Sequence, residues 1–156
     1  MIEKDIKSAV EQFEAMLREQ YDRNDRMKES AANAVPLADK DKIVIGMTPG
    51  DGIGPVIMDE TKKVLETLLA DKLASGRLEL KTIDGFTIER RLETGETVPA
   101  DVMEEMKKCD VLLKGPTTTP NAAMGGKNLE SANVFLRKSF DLYANVRPVK
   151  VEDEGI

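Results

Sequence analysis

Three short strand-like runs, set apart by stretches of helical periodicity, constrain this chain more than any other feature. Residues 42–47 and 110–113 are short and apolar and residues 78–83 alternate, which are strand patterns. Between the first two, residues 55–73 carry Ile57, Thr61, Val64, Leu65 and Leu68 at helical spacing. Shorter helices fit 87–92 and 100–108, with Pro99 at the mouth of the second, where proline is favoured. A further helix starts near Ser131, and 145–149 reads as a final extended segment. Strands alternating with helices predict the α/β class: a layered, partly parallel sheet flanked by helices. A chain of 156 residues is long enough for one domain with a sizeable core.

The first 40 residues stand outside that alternation. Residues 1–30 read as a charged amphipathic helix, with Ile6, Val10, Phe13, Leu17 and Tyr21 recurring on one face. The stretch 30–40, alanine-rich and carrying Pro36, reads as a linker. The expected division is therefore an amino-terminal helix and linker over 1–40, then an α/β unit over 41–156. The helix either packs on the body of the protein or serves as an oligomerisation or partner helix.

Composition excludes several classes. A net charge of −6 argues against non-specific nucleic-acid binding, which needs cations to displace counterions from phosphate. No apolar stretch approaches a membrane span, and the start Met-Ile-Glu-Lys-Asp is too charged for a signal peptide. Cys109 is the single cysteine, so no internal disulfide forms and a reducing, cytoplasmic setting fits. Its position before an apolar run favours a small buried hydrophobe over a reactive thiol. Histidine is absent, so any acid–base chemistry falls to Lys, Tyr, Asp or Glu.

Chemistry concentrates in the last third. Leu113-Lys114-Gly115-Pro116-Thr117-Thr118-Thr119-Pro120 is followed by Ser131-Ala132-Asn133-Val134-Phe135-Leu136-Arg137 and by Asp141-Leu142-Tyr143-Ala144-Asn145-Val146-Arg147-Pro148. A lysine, hydroxyls, an amide and two arginines lie close in sequence, as a small polycarboxylate requires. Arginine pairs with carboxylate in bidentate fashion, while Ser and Asn add neutral donors that fix orientation. Taken singly, each has a plainer reading: Ser131 as a helix cap, Arg137 and Arg147 as surface ion-pair partners, Thr118 and Thr119 as a rigid extended loop. Tyr143 reads as packing. Only nine residues follow Arg147, so a pocket here is expected to be walled on one side only.

Upstream, Gly50-Asp51-Gly52-Ile53-Gly54-Pro55 lies between a strand and a helix. It is not the dinucleotide fingerprint, because the third glycine comes too early. Together with Thr48-Pro49 before it, residues 110–120 and residues 131–148, it resembles the isocitrate and isopropylmalate dehydrogenase family. The three motifs stand in the family's order and approximate spacing over about residues 41–150. Ser131-Ala132-Asn133 before Leu136-Arg137 looks like the isocitrate branch. Two departures stand out: Val56 occupies a position where the family usually has glutamate, and the loop from Pro120 to Ser131 is longer than in that branch.

The resemblance implies the amino-terminal half of the family fold. It further implies that Lys114, Ser131, Asn133, Arg137 and Arg147 grip substrate carboxylates, with Thr118 and Thr119 beside the nicotinamide of NAD or NADP. Family members oxidise a 2-hydroxy acid and decarboxylate the product with Mg or Mn. Their metal-binding aspartates, base lysine and tyrosine proton donor lie beyond the part this chain matches, so no catalytic or metal residue is assigned here. The acidic run 152–154 reads as a solvated tail. Two functions follow as expectations. One is an amino-terminal subunit or fragment of a split oxidative decarboxylase, completed by a complementary carboxy-terminal chain or a homo-oligomer. The other is a non-catalytic regulatory or carboxylate-binding module. Either way an incomplete sheet should leave an apolar edge or face uncovered.

Overall fold

A computed structural model of the chain describes residues 2–120 and 129–150. The long loop's residues 121–128 and the acidic run 152–154 lie outside the described residues. The chain divides into two compact units, Met1–Lys40 and Asp41–Ile156.

The first unit is a single long helix, α1 (Ile2–Ala32), followed by a 3-10 turn at Leu37–Asp39. Pairs one turn apart support it, among them Arg18 on Glu14 at 2.6 Å. No residue of α1 is buried, and Ile6, Val10, Phe13 and Leu17 form an exposed stripe along it.

The second unit is built on a three-stranded sheet, and every pairing in it is parallel. Strand β1 (Ile43–Thr48) lies in the middle. It pairs with β2 (Leu78–Thr82) from Ile43 opposite Leu78 to Met47 opposite Thr82. On its other side it pairs with β3 (Val111–Lys114), from Ile45 opposite Val111 to Thr48 opposite Lys114. A central strand paired on both edges suits a continuous apolar run, which Ile43-Val44-Ile45-Gly46-Met47 supplies, its second half the more deeply buried.

Helices fill the connections: α2 (Gly54–Leu68) and α3 (Ala70–Ala74), then α4 (Ile88–Thr94) and α5 (Ala100–Lys107), then α6 (Ala132–Ser139) after β3. The single helix expected over 55–73 is interrupted at Leu69, whose backbone (φ −111°, ψ 16°) leaves the helical region. No glycine or proline marks that break in the sequence. Thr87 caps α4 by accepting the Arg90 N–H, and Gly95 closes it in the left-handed region.

The core gathers Ile83, Phe86 and Val98 with Val102 and Met106 of α5 and Ala132 and Leu136 of α6. Each helix contributes two residues one turn apart, so both turn one face inward. Burying a side chain of this size contributes about 1.5–3 kcal/mol. Docking α6 on this core fixes where its polar face points.

An apolar stripe has no cover among the described residues: Ile53, Ile57, Val64 and Leu68 on and before α2 are 48–74% exposed. Two expectations fail. Residues 145–149 form no strand and join no sheet, and Tyr143 is fully exposed rather than packed. The physical reason is shared. Residues 142–150 make no regular element and every one is exposed, so the tyrosine ring has no neighbour to pack on among the described residues. No described helix is long and apolar enough to cross a membrane.

Candidate functional site

In an open parallel sheet, successive connections leave the central strand in opposite directions at one place, and the carboxyl ends of the strands there form a crevice that takes ligands. Here the strand order β2-β1-β3 puts that place between β1 and β3. The glycine turn after β1 and the threonine loop after β3 therefore lie side by side. Their backbones touch. The Asp51 N–H donates to the Pro116 carbonyl at 2.8 Å, and the Gly115 N–H to the Thr48 carbonyl at 2.8 Å. A Cβ on Gly50 (φ 76°) would run into the Pro116 carbonyl, and one on Gly115 into the Pro49 carbonyl. Only glycine permits this approach.

Asp51 ties the two loops to a helix. Its nearly buried carboxylate accepts the Ile88 N–H at 2.6 Å and the Thr118 N–H at 2.7 Å. Arg91, with no exposed surface, holds the same loop from the other side. Its Nη1 donates to the Thr118 carbonyl and its Nε to the Thr97 carbonyl, both at 2.8 Å. The guanidinium also sits 5.7 Å from the centre of the Phe86 ring. Burial pushes the Arg91 pKa below its ordinary value, and the Asp51 charge opposes that shift. Thr118 is thus fixed at both its N–H and its carbonyl, while Thr118 and Thr119 stay exposed.

Lys114 ends β3 beside this clamp. Its ammonium donates to the Gly115 carbonyl at 2.7 Å and the Thr117 hydroxyl at 3.0 Å, and lies 5.9 Å from the Phe86 ring centre. Burial lowers its pKa, Asp51 raises it, and the Arg91 charge lowers it further. A half-buried lysine so placed keeps its charge only at some electrostatic cost, which an incoming carboxylate would relieve.

Lys114 also lines a cleft of about 440 Å³ between β3 and α6, shared with Asn133, Arg137, Asp110, Leu112 and Phe140 among others. That volume suits a small metabolite. Asn133 and Arg137 are one turn apart on α6 and reach the cleft together. Two cations and an amide share the lining with one carboxylate, and Asp110 Oδ2 already accepts the Val44 N–H at 2.8 Å. The balance favours an anion.

The remaining expected residues lie elsewhere. Ser131 stands at the cap position of α6, but its hydroxyl makes no capping bond; its carbonyl takes the Phe135 N–H at 3.0 Å. Arg147 lies in the exposed carboxy-terminal stretch and does not line the cleft. No group of three or more His, Cys, Asp or Glu able to hold a metal occurs among the described residues. A divalent cation has no complete ligand set here. A nicotinamide fits better, since the pinned loop offers two exposed threonine hydroxyls at the carboxyl ends of parallel strands. Cys109 is half-buried against the core, and burial raises its thiol pKa.

Asp51 and Arg91 were not singled out by the sequence reading. Asp51 had a usable signal, because a carboxylate between two turn glycines often accepts backbone N–H groups. Arg91 had none, sitting in a charged helical run beside Arg90, which pairs with Asp101 at 2.8 Å.

Comparison with known proteins places this arrangement. A family profile described as Isocitrate/isopropylmalate dehydrogenase matches residues 44–155. The isocitrate dehydrogenase [NADP] of Thermus thermophilus is 43% identical over 107 residues, covering 69% of this chain and 20% of that protein. The homoisocitrate dehydrogenase of Methanocaldococcus jannaschii is 35% identical over 100 residues, covering 64% of this chain and 26% of its own length. The crystal structure of a beta-decarboxylating dehydrogenase from Thermococcus kodakarensis matches with a TM-score of 0.50 and 31% identity. It covers 65% of this chain and 27% of that one. The chain thus spans between a fifth and about a quarter of the length of these proteins. With the sheet order, the glycine turn and the matched residues in agreement, the chain belongs to the isocitrate/isopropylmalate dehydrogenase family, on its isocitrate side.

Proposed function

We propose that this chain supplies the carboxylate grip and part of the nicotinamide site of an oxidative decarboxylase acting on isocitrate or a close 2-hydroxy acid. The observation that carries the reading is the cleft where Lys114, Asn133 and Arg137 converge. Arg137 takes a substrate carboxylate in its planar fork, Asn133 orients it, and Lys114 adds charge beside the reacting carbons. Ser131 and Arg147 close on the substrate from outside the present cleft. Thr118 and Thr119 hold the nicotinamide of NAD or NADP, which accepts the hydride when bound. A complementary carboxy-terminal chain brings the base and the Mg or Mn ligands, and the uncovered apolar face of α2 gives it a surface to pack on. The unpaired thiol of Cys109 fits a reducing cytoplasm.

The test is reconstitution. This chain alone should give no nicotinamide reduction with isocitrate and Mg. Mixed with the carboxy-terminal portion of a family member, it should turn over, and Arg137→Ala should lower apparent substrate affinity by at least ~30-fold, as expected for losing a paired carboxylate contact. Hydride transfer untouched by Arg137→Ala would refute the assignment.

The same cleft supports a second reading, a non-catalytic module that binds carboxylates for regulation, because Lys114, Asn133 and Arg137 can grip an anion without a metal. Calorimetry separates the two. Metal-free binding of citrate or isocitrate by this chain alone, abolished in Arg137→Ala, supports the module; binding that needs the complementary chain and Mg supports the enzyme.

A further inference from the structure

The exposed stripe on α1 is independent of the cleft and of any reading of its function. Its apolar residues recur at alternating spacings of four and three: Ile6, Val10, Phe13, Leu17. This is the seam of a heptad pattern, with Val10 and Leu17 at a and Ile6 and Phe13 at d. Their exposures run from 43% for Leu17 to 58% for Ile6 and Val10. Outward positions are polar apart from Ala15 and Ala32. The apolar seam spans two heptads of the 31-residue helix before Gln20 and Asn24 interrupt it.

We propose that α1 pairs with the α1 of a second copy of this chain as an antiparallel coiled coil, with Val10 opposite Phe13 and Ile6 opposite Leu17. Charge complementarity between two copies of α1 exists in this orientation and register. In a parallel pair each g position faces the next e position of the partner helix. Arg23 would then meet Lys28, and no oppositely charged g–e pair would form. In antiparallel pairs e faces e and g faces g. Sliding the helices one heptad towards their carboxy ends sets Glu14 against its own equivalent, and a further heptad sets Lys7 against Lys28. In the proposed register Lys7 faces Glu14 of the other copy, and two-fold symmetry forms that pair twice. Ala9 faces Met16, also twice, and Gln20 meets Glu3 at the edge of the overlap. Asn24 and all that follows fall outside it, so the polar end of the seam is never buried. Within one chain Lys7 lies 3.9 Å from Glu11 and Glu14 2.6 Å from Arg18, both pairs exposed. Exchanging such exposed partners sacrifices little.

Sedimentation equilibrium on the full chain tests this. The expected mass at high concentration is twice the 17.2 kDa of one chain. Phe13→Asp should leave only the single-chain mass. Lys7→Glu and Glu14→Lys should each weaken association roughly tenfold, because two symmetric pairs turn from attraction to repulsion. The Lys7→Glu/Glu14→Lys double variant should recover to within about threefold of the parent, although its contacts within one helix are worsened. Circular dichroism monitors the helix throughout; should Phe13→Asp lose helicity, the charge swap decides. A monomer at every concentration, a dimer indifferent to Phe13→Asp, or single variants that weaken association without recovery in the double would each overturn the proposal.

Discussion

Asp51 does three jobs with one side chain position. Its backbone N–H binds the loop after β3, and its two carboxylate oxygens bind the start of α4 and Thr118. Asp51→Ala removes both charge-assisted acceptors from a nearly buried place and should cost about 2–4 kcal/mol in urea unfolding. Asp51→Asn keeps one acceptor oxygen and should cost less. Glu105 offers a check at the surface. Lys108 and Lys81 both donate to its carboxylate and hold its pKa down at about 2, from an ordinary 4.5. A carboxylate depressed in this way adds stability that is complete above pH 4.5 and is lost as pH falls towards 2. NMR titration of its side-chain carbon should place the midpoint near pH 2, and Lys81→Met should move it upward.

Among the elements, what packs most tightly was easiest to read. β1 shows as an uninterrupted apolar run because it is flanked on both sides, and α5 shows through Pro99 at its mouth. Met106→Ala should therefore cost about 2–5 kcal/mol by chemical denaturation, since that side chain is fully enclosed. The break at Leu69 was illegible because the apolar periodicity runs straight through it. The site divides the same way. Lys114, Asn133 and Arg137 stand in short, dense motifs, and the cleft brings them together. Arg91 stands apart from the threonine loop in sequence and meets it only through the tertiary fold, which no local pattern reports. Tyr143 misled because an aromatic within an apolar-looking segment was read as packed, and the described residues give it nothing to pack on.

At the scale of the whole molecule, the second unit combines a small enclosed core with an apolar stripe on α2 that has no cover among the described residues. Ile57→Ser and Leu68→Ser should therefore leave the stability of this chain within about 0.5 kcal/mol of the parent. The same changes should reduce binding of a fluorescent apolar dye, and a stability loss of several kcal/mol would mean that the stripe is already buried in solution.

The contact between the glycine turn and the threonine loop has a kinetic corollary. Two stretches of backbone already locked together need no rearrangement of their own before a ligand settles beside them. With the closing contacts removed in Ser131→Ala/Arg147→Ala, stopped-flow mixing should show one phase whose rate climbs linearly with ligand concentration, without the plateau that a slow rearrangement imposes.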